Sequence, residues 1–304
     1  MDTQGRLQLL FRAGLRKNFR DEFVQYSPQY PGFLKTDSTS EPELAASLMA
    51  GPGRLLEMYD GEGVTYQPLV MGPKVAAIDK EFGLGMSVTP RTVEDDKYGK
   101  ARSGSKYLAK ATRLTYEFRA ASFLDDAFTG TDFKGYDGLA WCSASHTFIN
   151  NTGTWANTPT NQTAFSVAGV QQVQDLFMQL KDHNGDPVVM WPDTLVIGNS
   201  AGDWNKAYQI FNSQKEPFTA NNQDNAIKAR FAGMKEPIVS VYKSSAKSYF
   251  MIDSRYNDAW FVMRRPARME DNRDFNTGAY QTKVTTRFII WGVDPRGWVG
   301  VNPA

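Results

Sequence analysis

The sequence predicts an α+β protein in which long N-terminal excursions precede a compact mixed region. Three features predict it: apolar residues at helical spacing near the start, strand-type stretches on either side of Gly72 and Pro73, and a second half where helical and strand patterns alternate. Excursions before any closed core make physical sense when neighbouring molecules cover them.

Leu7, Phe11, Leu15, Phe19 and Phe23 recur at every fourth position and form one apolar stripe on a helix, with Arg12, Arg16 and Arg20 off it. Such a stripe packs on its own core or docks on a neighbour, and the residues alone leave both open. Residues 26–53 are rich in Pro, Ser, Thr and Gly, so an extended arm is expected, with a short helix over Glu43 to Met49. Strand-type residues over Val64 to Met71 and Val75 to Val88 predict a long hairpin that turns at Gly72 and Pro73. An isolated hairpin is marginal in water and needs a partner surface.

Thr92 and Asp95 fit a capping arrangement, and Glu94, Asp95 and Asp96 suit the positive end of a helix. Tyr107, Ala111, Leu114, Phe118 and Ala121 then form a stripe opposite Lys106, Lys110 and Arg113. A helix continuing to Phe128 would be on the order of 35 Å long. Residues 130–163 read as polar loops with short strands around Trp141 and Trp155. Val170, Val173, Phe177 and Leu180 mark a helix ending near Gly185, and Thr194 to Gly198 a buried strand. Ala201, Trp204, Ala207 and Phe211 mark another helix, capped by Asn199 or Ser200. After a polar loop through Asn221, Asn222 and Asn225, strands are expected near Ile238–Tyr242, Tyr249–Asp253 and Ala259–Met263. Last, the alternation of Tyr280, Thr282, Val284, Thr286, Phe288 and Ile290 with polar residues predicts one long half-buried strand.

Composition narrows the function. With 304 residues, 41% hydrophobic and 22% charged, the chain can bury a substantial core. No apolar run approaches the ~20 residues that span a bilayer, and arginines occupy the N-terminus where a secretory signal would be apolar. A formal net charge of +1 argues against a protein whose main task is gripping nucleic acid. The single cysteine, Cys142, forms no internal disulfide and no thiolate metal site by itself.

Candidate chemistry is sparse. Cys142 and His146 are the one pair resembling a nucleophile and base, but catalytic Cys and His usually meet through the fold rather than along the chain. The other histidine, His183, lies in a turn-type sequence with Asn184, Gly185 and Pro187, and two histidines exclude a multi-His metal centre. Asp125, Asp126, Asp132 and Asp137 lack the regular spacing of a calcium loop. Gly83 and Gly85 start a dinucleotide fingerprint that Val88 leaves incomplete. Arg264, Arg265 and Arg268 suit ion pairs between subunits or a solvated strand end better than nucleic-acid contact. No cofactor, metal or catalytic residue is expected.

The order of arm, hairpin, long helix, mixed region and returning strand resembles the major capsid proteins of tailed phages, built on the Hong Kong 97 shell fold. The Mu-like major head subunit is the nearest resemblance. It rests on Phe19-Arg20-Asp21-Glu22-Phe23, on Glu81-Phe82-Gly83-Leu84-Gly85-Met86-Ser87-Val88 leading into Arg91-Thr92-Val93-Glu94-Asp95-Asp96, and on Leu195-Val196-Ile197-Gly198 before a helix. The resemblance implies an N-terminal arm over 1–55, an extended β-hairpin loop over 56–91 lying on an adjacent subunit, and a peripheral domain with a spine helix over 92–164. An axial mixed α/β domain over 165–265 and a return to the peripheral domain over 266–304 complete it. The implied partners are copies of the chain in hexamers and pentamers, a portal, separate scaffolding, protease or decoration proteins, and packaged double-stranded DNA held without sequence specificity, with no membrane. Members with a long N-terminal scaffolding segment differ from this sequence. The implied location is the virion capsid, assembled in a bacterial cytoplasm. Candidate intersubunit contacts are Leu7, Phe11, Arg12, Leu15, Arg16, Phe19, Met71, Gly72, Pro73, Lys74, Arg264 and Arg265. The competing readings are an encapsulin-like compartment shell, a Cys142-dependent hydrolase and a nucleic-acid-binding module.

Overall fold

The structure, a computed structural model, describes residues 3–95, 100–218 and 223–303; the side chains of 3–12, 94 and 100–102 lie outside the description. Helix α1 (Thr3–Gln25) packs along the long helix α3 (Lys100–Asp126). Both lie over a four-stranded sheet ordered β1-β10-β11-β4, made of β1 (Lys35–Ser38), β10 (Ala259–Arg273), β11 (Tyr280–Gly292) and β4 (Lys80–Val88). The expected last strand is therefore central, antiparallel to both neighbours, and β10 runs ten residues past the expected Met263.

An aromatic ladder locks this half together. Phe82, Phe288 and Phe261 stack across β4, β11 and β10 with centroids 4.7 and 4.8 Å apart, and Tyr30 continues the stack at 4.3 Å. Tyr116 of α3 meets Phe261 and Phe288 edge-on, the geometry aromatic quadrupoles favour, and its hydroxyl bonds Thr286 Oγ1 at 2.8 Å. The buried carboxylate of Glu117 accepts from the Gln29 amide at 2.7 Å, fastening the chain after α1 to the same helix.

The second half builds a sheet ordered β12-β9-β7-β8 from β12 (Trp298–Val301), β9 (Tyr249–Ile252), β7 (Thr194–Gly198) and β8 (Ile238–Ser240). Helices α4 (Val167–Gln179) and α5 (Ala201–Asn212) cover it, with Val173, Phe177, Ile210 and Val299 in one buried cluster. Ser200 is the cap of α5, its hydroxyl accepting from the Asp203 amide at 3.2 Å. The loop of Asn221 and Asn222 lies outside the described residues.

Three local expectations are corrected. Glu43–Ala50 is strand β2, not a helix: pairing with β3 (Val70–Ile78) overrides the helix propensity of its Leu, Ala and Met. Gly72 and Pro73 are not a turn but lie inside β3, where proline is tolerated because β3 pairs on one side only and the ladder breaks its register opposite, between Ser47 and Met49. The turn of the β2–β3 ribbon is the long irregular segment 51–69. The spine helix is preceded by a separate turn of helix, α2 (Pro90–Glu94), whose cap is Thr89 rather than Thr92: Thr89 Oγ1 accepts from the Thr92 amide. Asp96 and Gly99 lie outside the described residues.

The break between β3 and β4 falls at Asp79. Its carboxylate pairs with Arg264 Nη1 at 2.7 Å, and its amide donates to Pro42 O at 3.0 Å. This pins one end of the ribbon to β10. Asp79→Ala leaves a half-buried guanidinium unpaired, and we expect a loss of about 1–2 kcal/mol, read as a lower urea midpoint with unchanged slope. An unchanged midpoint would show the pin to be energetically silent.

Candidate functional site

The site is a set of surfaces rather than a pocket with chemistry. Cys142 is buried beside Gly300 and Phe128, and burial pushes its thiol pKa well up, away from any thiolate. His146 faces elsewhere: its Nδ1 bonds Asp137 Oδ2 at 2.7 Å and its ring stacks on Trp155 at 4.5 Å. Although burial raises the Asp137 carboxyl, the His146 bond and charge hold it below the usual carboxylate range. The other acidic candidates are structural. Asp126 accepts from the amides of Thr131, Asp132 and Phe133, and Asp125 from those of Ser244 and Ser245. Gly83 and Gly85 sit in β4 opposite Thr285 and Lys283, far from a helix-opening phosphate loop. Among the described residues no His, Cys, Asp or Glu group could hold a metal.

The β2–β3 ribbon carries the surface that a lone chain leaves open. Its inner face half-buries Ala46, Leu48 and Val75 against the second core, with Ile149 so close to Gly72 that a β-carbon there would stand 2.7 Å away. At its far end Asn184 Nδ2 donates to Gly51 O at 3.0 Å and Arg54 pairs with Asp186 at 2.8 Å. Beyond these anchors, Leu55, Leu56, Met58, Tyr59, Val64, Tyr66 and Leu69 are exposed, Leu55 completely and Tyr66 at 91%. Seven exposed apolar residues within one fifteen-residue segment mark an interaction surface, whereas single ones scattered over a surface do not. The sequence placed Val64 to Met71 in a strand and 56–91 in a loop reaching a neighbour, but named only Met71 to Lys74 as its contacts. Residues 64–69 are irregular, and the signal for Leu55 to Leu69 was apolar density within a Gly-rich, acidic stretch.

The predicted contact residues fall into three groups. Leu15 and Phe19 are buried within their own chain, under α1, while Arg16 is exposed and pairs with Asp271 at 2.7 Å. The side chains of Leu7, Phe11 and Arg12 lie outside the described residues. Met71, Pro73 and Lys74 are exposed on β3, with Gly72 half-buried. Arg264 and Arg265 serve their own subunit: Arg264 holds Asp79, while Arg265 and Arg287 both donate to Glu81, at 2.6 and 2.7 Å. The Arg287 bond, joined by that of Arg265, keeps the Glu81 carboxyl below its ordinary value.

His183 lies under the turn that holds Gly51 and Arg54. It is buried edge-on to Tyr136 at 5.0 Å, with both ring nitrogens lacking a hydrogen-bond partner. Burial, helped by the nearby charge of Arg296 and opposed by Asp294, Asp182 and Asp137, lowers its pKa from 6.5 to about 4. The folded chain therefore holds His183 neutral where the unfolded chain protonates it. Its contribution is complete above about pH 6.5 and is lost as pH falls towards 4. Between pH 7 and 4 we expect the wild type to lose on the order of 2–3 kcal/mol more than His183→Phe in urea titrations, and parallel pH profiles would refute the assignment.

A family profile described as phage capsid protein matches residues 73–301. No curated protein matches the chain by sequence. Among solved structures, the virus-like particle of Pyrococcus furiosus aligns with a TM-score of 0.53 at 11% identity, covering 95% of this chain and 97% of that one. The capsid of Cyanophage P-SCSP1u aligns with a TM-score of 0.56 at 13% identity, covering 91% and 88%. The procapsid of bacteriophage JBD30 aligns with a TM-score of 0.55 at 10% identity, covering 100% of this chain and 77% of that one. At these identities the structural likeness establishes the fold alone.

Proposed function

The chain belongs to the phage capsid protein family, and from that membership we propose that it is the major head subunit of a tailed phage, enclosing packaged double-stranded DNA in an icosahedral shell. It is a structural protein that works by self-assembly, not an enzyme. The observation that carries the reading is the set of exposed apolar side chains from Leu55 to Leu69, on a segment tethered at Arg54 before it and at Asp79 beyond β3. Burying such a run on a neighbour supplies the hydrophobic part of a shell contact, and ion pairs around it supply register.

In this reading the extended loop that lies on an adjacent subunit is the β2–β3 ribbon with its irregular turn 51–69, with Met71, Pro73 and Lys74 at its margin; β4, inside the expected 56–91, is held in the sheet of its own chain. The arm is the chain before β1, the peripheral domain is α3 with the β1-β10-β11-β4 sheet, and the axial domain that clusters at the centres of hexamers and pentamers is the β12-β9-β7-β8 sheet with α4 and α5. The expected bound at 265 falls inside β10, and β12, within the expected 266–304 return, belongs to the axial sheet. The head is Mu-like, is assembled in a bacterial cytoplasm, and takes a portal, scaffolding, protease or decoration proteins as separate partners. With a net charge of +1, DNA contact on the inner face is unspecific and not the source of assembly energy. An encapsulin-like compartment shares the self-assembly reading, and protein cargo in place of DNA would favour it.

Leu55→Ser combined with Tyr66→Ser removes apolar surface that is already solvated in the free subunit. We expect its stability to change by no more than about 0.5 kcal/mol while closed shells disappear from electron micrographs. Normal shells from this variant would contradict the loop's role, and an unaltered chain that forms no shells would contradict the function.

A further inference from the structure

We propose that Phe275, at the tip of the β10–β11 hairpin, inserts into the groove between α1 and β10 of a second copy of this chain; the inference rests on the shell reading above.

The knob is fully exposed and yet rigidly presented. Phe275 has no cover in its own chain among the described residues. The turn beneath it is closed by Asp274 N donating to Ala279 O at 2.9 Å and by Gly278 N donating to Asp274 O at 2.8 Å. The Asp274 carboxylate accepts from the Asn276 amide at 3.2 Å and from Thr277 Oγ1 at 2.5 Å. Gly278 takes a left-handed φ of +66°, which closes the turn without strain for a residue lacking a β-carbon. Arg273 lies over the Tyr280 ring at 5.4 Å at the base. An aromatic ring held in water on a preformed turn loses little freedom on docking, which is what makes such a residue an anchor.

The groove has the matching chemistry. It is an open cleft of about 740 Å³ with Phe19, Phe23, Ala267 and Met269 among its lining residues. Two carboxylates also line it, each beside a guanidinium: Arg16 pairs with Asp271 at 2.7 Å and Arg268 with Glu270 at 3.3 Å, while Arg20 stands exposed at the edge. A phenyl ring entering there meets apolar and aromatic surface below and guanidinium groups beside it, and these groups favour a ring face. The carboxylate of Asp274, adjacent to the knob, would arrive near Arg20.

The occupant must be another molecule. β10 ends at Arg273 and Phe275 lies in the turn beyond it, four residues past Asp271, the last groove residue on this strand. At about 3.3 Å per residue it stands at most roughly 13 Å past the groove of its own chain, with its ring fully exposed rather than inserted. A self-assembling subunit presents its surfaces chiefly to copies of itself, and a knob and a groove on separate surfaces let each copy fill its neighbour.

Assembled shells of the full chain carrying Phe275→Cys mixed with Ala267→Cys test the contact, since Cys142 is buried and silent. Oxidation should give a disulfide-linked band of double mass only in the mixture, and not when Phe275→Cys is mixed with the exposed Val189→Cys. Phe275→Ser should raise the concentration needed for shells about tenfold with no change in Tm. Shells without the mixed band, or Phe275→Ser shells at the wild-type concentration, overturn the inference alone. Absence of shells from the unaltered chain overturns it together with the shell reading.

Discussion

The aromatic ladder across β4, β11 and β10 is the constraint on which the rest of the structure depends. Phe82, Phe288 and Phe261 stack in register, and Tyr116 wedges against two of them from α3. β11 is bonded on both edges from Tyr280 to Phe288 and to β10 alone from Ile289 to Gly292. That end delivers Trp291 and Val293 to the second core, so the two halves share one strand rather than a flexible linker.

A rigid frame changes what the ribbon of β2 and β3 can do. The ribbon leaves the frame at Asp79, just before β4 begins, where Arg264 holds the corner, and it is tethered again at Gly51 and Arg54. It is therefore neither a free arm nor a sheet strand. Its inner face is half-satisfied by Ile149 and the second core, while beyond the tethers the apolar side chains from Leu55 to Leu69 are exposed. For a monomer this would be an aggregation liability; for a subunit whose copies complete one another it is a stored interface. The His183 turn sits beneath the second tether, so a buried neutral imidazole is part of what keeps that tether in place.

Much of this architecture was legible in the residues because periodicity reports which face is buried. The alternation from Tyr280 to Ile290 gave the central strand, and helical spacing gave the spine helix but not its inner face: Tyr107 and Phe118 of the expected stripe are exposed, while Leu108, Tyr116, Ala120 and Leu124 are buried. What failed was local. Glu43–Ala50 carries helix formers in a strand, since pairing with β3 decides its state, and Gly72-Pro73 reads as a turn only while the one-sided pairing of β3 is unknown. The corner at Asp79 was invisible because its meaning lies in Arg264, distant in sequence. Phe19 was expected on a possible docking face, but the helix lies down on its own sheet and buries it. The contact surface was the hardest to see. Leu55 and Tyr66 belong to no periodic element, and their significance is that the fold leaves them uncovered.

Hydrogen exchange of residues 51–69 in the free subunit and in the assembled shell tests the central claim most directly. The account predicts rapid exchange in the free subunit, where the segment has no regular backbone pairing, and protection of about tenfold or more in the shell, where a neighbour buries it. Equal, rapid exchange in both states would contradict it, because the shell would then be held together without the surface that the fold leaves open.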